Sequence, residues 1–492
     1  MHAAVYHSQE IRAWEQRWFQ KQNSSLGLMQ QVAWSICNKL DHFIHKNSLS
    51  VFKIAVWCGM GNNAGDGYFL AAYLQQAGYQ VTIFAAPAGE SPDLAQAVQT
   101  ARRHQLNIHS SFDVPDVPDV YDCHIDALFG HGLNRNLDSD WQTVIKHFNQ
   151  LSGLKVAIDL PSGLNANTGQ CLPIAIKADI TYTVLAHKIG LHTGQGSEFS
   201  GQVELIDLLP PDVSLRATAL LKPAKIILPK RQAFGHKGTY GHVLVVGGHR
   251  DMGGAVIMAA EAAFHAGAGK VTVVCDATHH AAILARAPNI MIKDIQALTS
   301  DEILTLLQQI DSVCFGMGLG RDEWSEKQFM KWCPVLLKRA ELHLVIDADA
   351  LWFLAEYSFT FSQNVYLTPH AGEAARLLNT SAKEIEQDRV TAIEQLYQRF
   401  SGQWVLKGAG SLILEPDKLW ICTTGNAGMG TAGMGDVLAG MIASLKAQLD
   451  THISLSDIVT LHGQAGDRLA QSGQRGIQAH QMLDAIYQVV NP

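Results

Sequence analysis

The sequence has no basic surplus: 45 Asp and Glu against 37 Lys and Arg give a formal charge of −8 over 492 residues. A protein that lives on phosphate backbones carries the opposite imbalance, so nucleic acid is excluded as a main partner. Paired cysteines are missing as well. The eight cysteines (Cys37, Cys58, Cys123, Cys171, Cys275, Cys314, Cys333 and Cys422) stand singly, several inside apolar runs such as VTVVC, with neither a CxxC pair nor metal-type spacing. That scatter predicts reduced core thiols and no disulfide framework. No stretch approaches the roughly eighteen uninterrupted apolar residues of a membrane span. The opening MHAAVYHSQEIRAWEQRWFQ meets charge early and offers no apolar h-region, so no membrane partner and a cytoplasmic location are expected. Nor does any repeat of about 20–50 residues appear, which sets solenoids aside.

What the chain does have is apolar residues in quantity, 47% against 17% charged, and 42 glycines. Such a composition folds around a core, and the length exceeds one ordinary core, so two domains are the simplest reading. From residue 54 the order is strand, glycine loop, helix, strand (IAVWC, GMGNNAGDG, YFLAAYLQQAG, VTIFAA), one right-handed βαβ unit. Passages at CHIDALFGHGL, VAIDLPSGL, ITYTVLAHKIGL and VELIDL extend it into an α/β domain with a mostly parallel sheet. Ahead of it, Ile11, Trp14, Trp18 and Phe19 share one helical face that could dock on the domain or on a partner subunit. Pro210, Pro211, Pro223 and Pro229 then crowd a stretch that resists a long helix or a central strand, and the domain boundary is placed there. A second α/β series runs from HVLVVGG through a helix at about 254–267 to KVTVVC, SVCFGMGLG, LVIDADAL, VYLTPHAGEAARLL and WVLKGAGSLIL.

That series closes on GNAGMGTAGMGDVLAGMIASL, which packs five glycines into residues 425–435. Val437, Leu438, Met441, Ile442 and Leu445 fall on one helical face, so a helix should begin close to Gly435 with its free N–H groups turned to the glycine loop. Amides arranged in this way cradle phosphate. Asp436 sits in the first turn, where the helix dipole favours a carboxylate, and is placed to take a proton from a hydroxyl during phosphoryl transfer. No Gly-Lys-Ser/Thr closes the loop, so it is not a Walker A, and it lacks the βαβ setting of a dinucleotide fingerprint.

In the first half, Gly59 and Gly61 follow a strand, but the third fingerprint glycine is displaced and VTIFAAP ends without an acid for a ribose hydroxyl. Instead Asn62, Asn63 and Asp66 crowd one loop, while Asp126 and Asp159 stand at the carboxyl ends of their strands, where open α/β sheets bind ligands. Converging oxygens there suit a hard cation or acid–base work.

The glycine loop resembles the GxGD anion hole of the ribokinase-like fold. With TPHAGEAARLL, KGAGSLI, GMGLG and DADAL in order, residues 225–492 resemble the ADP/ATP-dependent NAD(P)H-hydrate dehydratases, the C-terminal half of YjeF-type proteins. GNNAGDGY, DALFGHGLNR and DLPSGLNANTG make residues 1–215 similar to the NAD(P)H-hydrate epimerases. The whole chain therefore resembles a bifunctional NAD(P)H-hydrate repair enzyme. The resemblance implies a Rossmann-like three-layer α/β/α domain followed by a ribokinase-like α/β domain. It also implies an isomerase that interconverts the R and S hydrates of NADH and NADPH (NADHX and NADPHX). Its partner would be a lyase that dehydrates the S form at the expense of ADP, giving NAD(P)H, AMP and phosphate.

For the epimerase the resemblance places substrate on Asn62, Asn63, Ala64, Gly65 and Asp66, on the loop Gly130, His131, Gly132, Leu133, Asn134, Arg135 and Asn136, and on Asp159 as acid/base. It implies K⁺ on Asn63, Asp126 and Ser162. Two positions depart from the family: Ala64 where Gly is usual, and His131 where Thr is common. The methyl at 64 matters only if that residue needs a positive φ. For the dehydratase it places substrate on Ala255, Gly318, His370 and the catalytic Asp436. The nucleotide lies on Lys407, Gly408, Ala409, Gly410, Ser411 and Gly435, with Mg²⁺ as its counter-ion. Assembly into a tetramer or larger homo-oligomer is expected. A small-alcohol kinase of the same fold, with a non-catalytic N-terminal binding module, is the alternative.

Overall fold

In the first unit, strand β1 (Lys53–Cys58) sends alternate side chains into two different hydrophobic clusters, as the two-residue period of a pleated strand requires. Ile54, Val56 and Cys58 pack with helices α2 (Ser25–Lys46) and α3 (Asn62–Gln76), whereas Ala55 and Trp57 pack with α4 (Ser139–Gln150). Helices on both faces of one sheet make three layers. The computed structural model describes residues 3–112, 120–210, 212, 214–357 and 359–491; the boundary residue Pro211 lies outside them. The chain divides into two compact units after Ala219.

The first sheet also contains β2 (Gln80–Ala85), β3 (Asn107–Ser110), β4 (Cys123–Ala127), β5 (Leu154–Ile158), β6 (Ile180–Val184) and β7 (Gln202–Ile206). All pair in parallel, in the order β3-β2-β1-β4-β5-β6-β7. This is the Rossmann-like order, with its reversal beside β1. Helix α3 begins at Asn62 with Gly61 as N-cap, so Asn62 to Asp66 form the helix's first turns and not an extended loop. Ala64 is helical and fully buried, and its methyl meets no backbone penalty. The N-terminal helix α1 (Ser8–Gln20) docks through Ile11, Trp14, Trp18 and Phe19 onto Leu28, Leu185, Ala186 and Leu209 of its own unit.

The second unit holds β8 (Ala219–Lys222), β9 (His242–Val246), β10 (Lys270–Cys275), β11 (Met291–Asp294), β12 (Ser312–Phe315), β13 (His343–Ile346), β14 (Phe361–Leu367), β15 (Ser401–Leu406), β16 (Leu412–Glu415) and β17 (Lys418–Cys422). Their order is β11-β10-β9-β12-β13-β14-β15-β16-β17-β8. Pairing is parallel from β11 to β15 and turns antiparallel through β15, β16 and β17. Three strands, β8, β11 and β17, and the antiparallel turn were not visible in the motif order. Helix α5 (Gly253–His265) pairs with α7 (Met434–Leu449). Helix α7 departs from the one-faced expectation: every residue from Val437 to Lys446 is buried, because it lies between α5, the sheet strands β9, β12 and β13, and α8 (Leu455–Ala470). A Cβ on Gly440 would fall 2.1 Å from the Ala259 carbonyl oxygen, so the α5–α7 approach requires glycine there. All eight cysteines are free thiols, and all but the half-buried Cys171 are buried.

Candidate functional site

Five parallel strands of the second unit end on one rim. Gly247 and Gly248 follow β9, Gly316 to Gly318 follow β12, Asp347 follows β13, Thr368 to His370 follow β14, and Lys407 follows β15. This is the edge where open α/β sheets bind ligands. Helix α7 points its N-terminus at the same place. Its N-cap, Gly433, has φ +92°, a left-handed turn that costs a side chain dearly and glycine nothing. The following amides are thus free to face an anion.

The charged groups converge tightly. Lys407 Nζ donates to Asp347 Oδ1 at 2.8 Å and lies 3.7 Å from Glu373 Oε2. A Cβ on Gly435 would be 3.1 Å from Lys407 Nζ and 3.3 Å from Asp347 Oδ2, so the glycine that opens α7 touches the ion pair directly. Asp436 follows it. Burial pushes the Asp436 carboxyl up to about 7, helped by the negative field of Asp347, while Lys407 opposes the rise. Burial and Asp347 raise Glu373 as well. For Lys407, burial alone would favour the neutral amine, but Asp347 and Glu373 outweigh it and keep the ammonium. A carboxyl poised near neutrality beside a lysine and a helix N-terminus is equipped to exchange a proton while an anion is held.

Around this cluster, Gly408, Ala409, Gly410 and Ser411 form the hairpin between β15 and β16, closed by Ser411 Oγ donating to the Gly408 carbonyl at 2.9 Å. Arg389, 1% exposed, braces it by donating to the Leu406 and Lys407 carbonyls at 3.0 and 3.2 Å. Ala255 touches Gly318: a Cβ on the glycine would lie 3.1 Å from that of Ala255. His370 caps helix α6 (Ala371–Leu378), its Nδ1 accepting from Gly372 N at 3.0 Å, and Glu373 returns the bond to His370 N at 2.8 Å. The histidine therefore holds Glu373 against Lys407. The base of the glycine loop is tied to α8, where Asp467 accepts from Gly425 N at 2.9 Å and from Asn426 Nδ2 at 3.0 Å.

The first unit has its own rim. Asp126, fully buried at the end of β4, accepts from Ser162 Oγ at 2.6 Å, Ser162 N at 2.7 Å and Leu128 N at 3.1 Å. Burial lifts its carboxyl to about 6, against the pull of those bonds. Asn63 Nδ2 reaches the Ile158 carbonyl at 3.4 Å. Asp159 follows β5 with φ +68°. Its Oδ2 accepts from His131 N at 3.1 Å and from His131 Nδ1 at 2.9 Å, and its Oδ1 from Val184 N at 3.2 Å and from Lys188 Nζ. Burial opposes the charge, yet Lys188 and His131 hold Asp159 far below the usual carboxylate range. Gly130 joins the groups: a Cβ there would be 3.2 Å from Asp159 Oδ2 and 3.5 Å from Asn63 Cβ. Asp66 is driven well up by burial, then by Asp159 and Glu15. Ala64 and Gly65 are buried, Gly132 is exposed, and Leu133 is half-buried; Asn62, Asn134, Arg135 and Asn136 face solvent. Among the described residues no group of three or more His, Cys, Asp or Glu side chains is arranged to hold a metal ion, and no helix is long and apolar enough to cross a membrane.

Several participants carried no motif signal of their own. Asp347 and Glu373 sat inside quoted runs, DADAL and TPHAGEA, and a search for carboxylates at strand ends would have found the first. Lys188 lies late in the strand-to-loop passage ITYTVLAHKIGL, and Glu15 on a helix whose sequence signal is its apolar face.

Strand ends that bring carboxylates and a lysine to a glycine-capped helix belong to a ribokinase-like α/β domain, joined in this chain to a Rossmann-like one. Residues 243–488 match the family model for NAD(P)H-hydrate dehydratase, and residues 25–190 that of the YjeF-related protein N-terminus. The chain is 37% identical to the bifunctional NAD(P)H-hydrate repair enzyme of Coxiella burnetii, covering 89% of this chain and 90% of that one. It is 36% identical to that of Escherichia coli over 89% and 85%, and 35% identical to that of Moorella thermoacetica over 94% and 91%. The chain belongs to the bifunctional NAD(P)H-hydrate repair enzymes.

Proposed function

We propose that the C-terminal domain, residues 225–492, regenerates NADH and NADPH from their hydrates by phosphorylating the ring hydroxyl. Hydroxide leaves a hydrated dihydropyridine poorly, whereas a phosphate ester leaves readily with push from the ring nitrogen. Asp436 accepts the hydroxyl proton as the terminal phosphoryl of ADP moves to that oxygen, and elimination then yields NAD(P)H, phosphate and AMP. Backbone amides of Ala432 to Gly435 hold the migrating group, a preorganised effect worth a few kcal/mol per donor, about 2.7–4 in mutagenesis. Lys407, with the hairpin through Ser411 and with Gly435, holds the nucleotide phosphates, and Ala255, Gly318 and His370 border the ring. Mg²⁺, when bound with the nucleotide, would neutralise its phosphates.

The N-terminal domain, residues 1–215, exchanges the R and S hydrates, so the dehydratase receives the epimer it uses. Substrate lies along the start of α3 and the loop from Gly130 to Asn136, with Asp159 at the hydrated carbon. The donor set of Asn63, Asp126 and Ser162 fits K⁺: its side chains offer oxygen, and Asp126 is a buried carboxylate with hydrogen bonds but, among the described residues, no ion-pair partner. The ion would supply that positive charge and fix the loop. ADP as donor, a tetramer or larger, and a cytoplasmic location belong to the same proposal on the family's pattern.

The observation that carries the reading is Asp436, half-buried with its carboxyl lifted to about 7, in the first turn of a glycine-capped helix beside Lys407. The test is recovery of reduced-nicotinamide absorbance from the S hydrate with ADP. Asp436→Asn should lower kcat by about 10²-fold or more. Unchanged turnover, or a stable phosphorylated alcohol with no NADH regained, would overturn it.

A further inference from the structure

The epimerase rim contains a proton-handling group that is better placed than Asp159. Asp159 has four donors on its two oxygens, one of them the fully buried Lys188. A carboxylate so saturated is a weak base and serves best to orient a neighbour. That neighbour is His131, whose Nδ1 is taken up by Asp159 at 2.9 Å. Its Nε2 remains as the free end, 3.9 Å from Glu15 Oε2, beyond a direct hydrogen bond but within one small rotation of a glutamate side chain. Glu15 is brought there by α1, whose anchors Ile11 and Trp14 are buried. Arg12 of the same helix reaches the loop too: a Cβ on Gly132 would lie 3.3 Å from its Nη2.

The geometry points to His131 as the proton-transfer residue of epimerisation, oriented by Asp159 and exchanging its Nε2 proton with Glu15 of helix α1. This rests on the placement of the epimerase substrate given above. As the ring nitrogen lone pair forms a C=N bond, the C–O bond at the hydrated carbon breaks and imidazolium Nε2–H protonates the departing hydroxyl, which leaves as water. A water adds to the opposite face, breaking the C=N bond back to the nitrogen lone pair, and returns its proton to Nε2. Atoms and charge balance, and nothing is oxidised or reduced. The charged groups facing the imidazole are Asp159 after β5, Lys188 after β6, and Glu15 and Arg12 from α1, with Asp66 of α3 in the same field.

The test follows exchange of the R and S hydrates by the full chain, with dehydration of pure S hydrate as the internal measure of folding. His131→Thr and His131→Gln should each lower kcat for exchange by about 10²-fold, leave KM within about twofold and remove one limb of the pH–rate profile of exchange. Glu15→Gln should displace the same limb. Wild-type kcat in both histidine variants, or a lower kcat with the limb unmoved, overturns the assignment while Asp159→Asn still abolishes exchange. If Asp159→Asn also leaves exchange intact, the placement of the site fails and the proton route fails with it.

Discussion

At Asp436 burial and neighbouring negative charge act together, and their sum bears on both the proposed proton transfer and stability. With a carboxyl lifted to about 7, the base form grows in as pH rises, so kcat/KM for dehydration should climb from pH 5.5 to 8 with an apparent pKa near 7 in a pH–rate profile. Stability runs the other way. A folded-state pKa above the unfolded value contributes stability that is complete below the unfolded pKa and is lost as pH rises through the folded one. Asp436→Asn should therefore add more to the unfolding free energy at pH 8 than at pH 5, by about 1–2 kcal/mol after allowing for partial solvation, in denaturant unfolding at the two pH values. Asp159 has the opposite character. Lys188→Met leaves that buried carboxylate without its ammonium, and denaturant unfolding should register a loss of about 3 kcal/mol. Asp436 and Asp159 were both legible in the sequence because each follows a recognisable strand or glycine signal. Asp347 carried the same strand-end signal as Asp159, whereas Lys188 carried none, since a single charge reveals its partner only when chain segments far apart in sequence meet.

Among the elements, α7 was located to within one residue by its glycine loop, yet its surroundings were misread. Leu, Met and Ile at helical spacing suggested one apolar face, whereas Ala439, Gly440, Ala443 and Ser444 between them are small because other elements press on that side too. Smallness on the supposed polar face was the available sign of a central helix. Gly440→Ala tests this: with the new methyl 2.1 Å from a carbonyl oxygen, overpacking should cost about 1–3 kcal/mol in chemical denaturation, despite alanine's better helix propensity. In the first unit the reverse error occurred. Asn62, Asn63 and Asp66 looked like loop residues because glycine and asparagine favour turns, but Gly61 caps a helix that begins immediately after it. The antiparallel hairpin from β15 to β17 was hidden because its apolar runs are as short as those of the parallel strands.

For the molecule as a whole, two mostly parallel sheets each gather charged side chains at the carboxyl ends of their strands, and the family joins the two reactions in one chain. A consequence is measurable in a mixed epimer pool. Wild-type enzyme should return all reduced cofactor in one fast phase. Asp159→Asn should return only the S share rapidly, the remainder following at the uncatalysed exchange rate, with the absorbance amplitude as readout. Alternating strands and helices made the α/β class and two-part organisation readable, whereas the composition of each site depended on folding geometry. Helix α1 shows what that means in practice. Because the helix from Ser8 to Gln20 carries Glu15 to 3.9 Å from His131 Nε2 at the proposed exchange site, a fusion tag that unseats it should yield a preparation that passes a dehydration assay on the S hydrate yet leaves the R hydrate unrepaired.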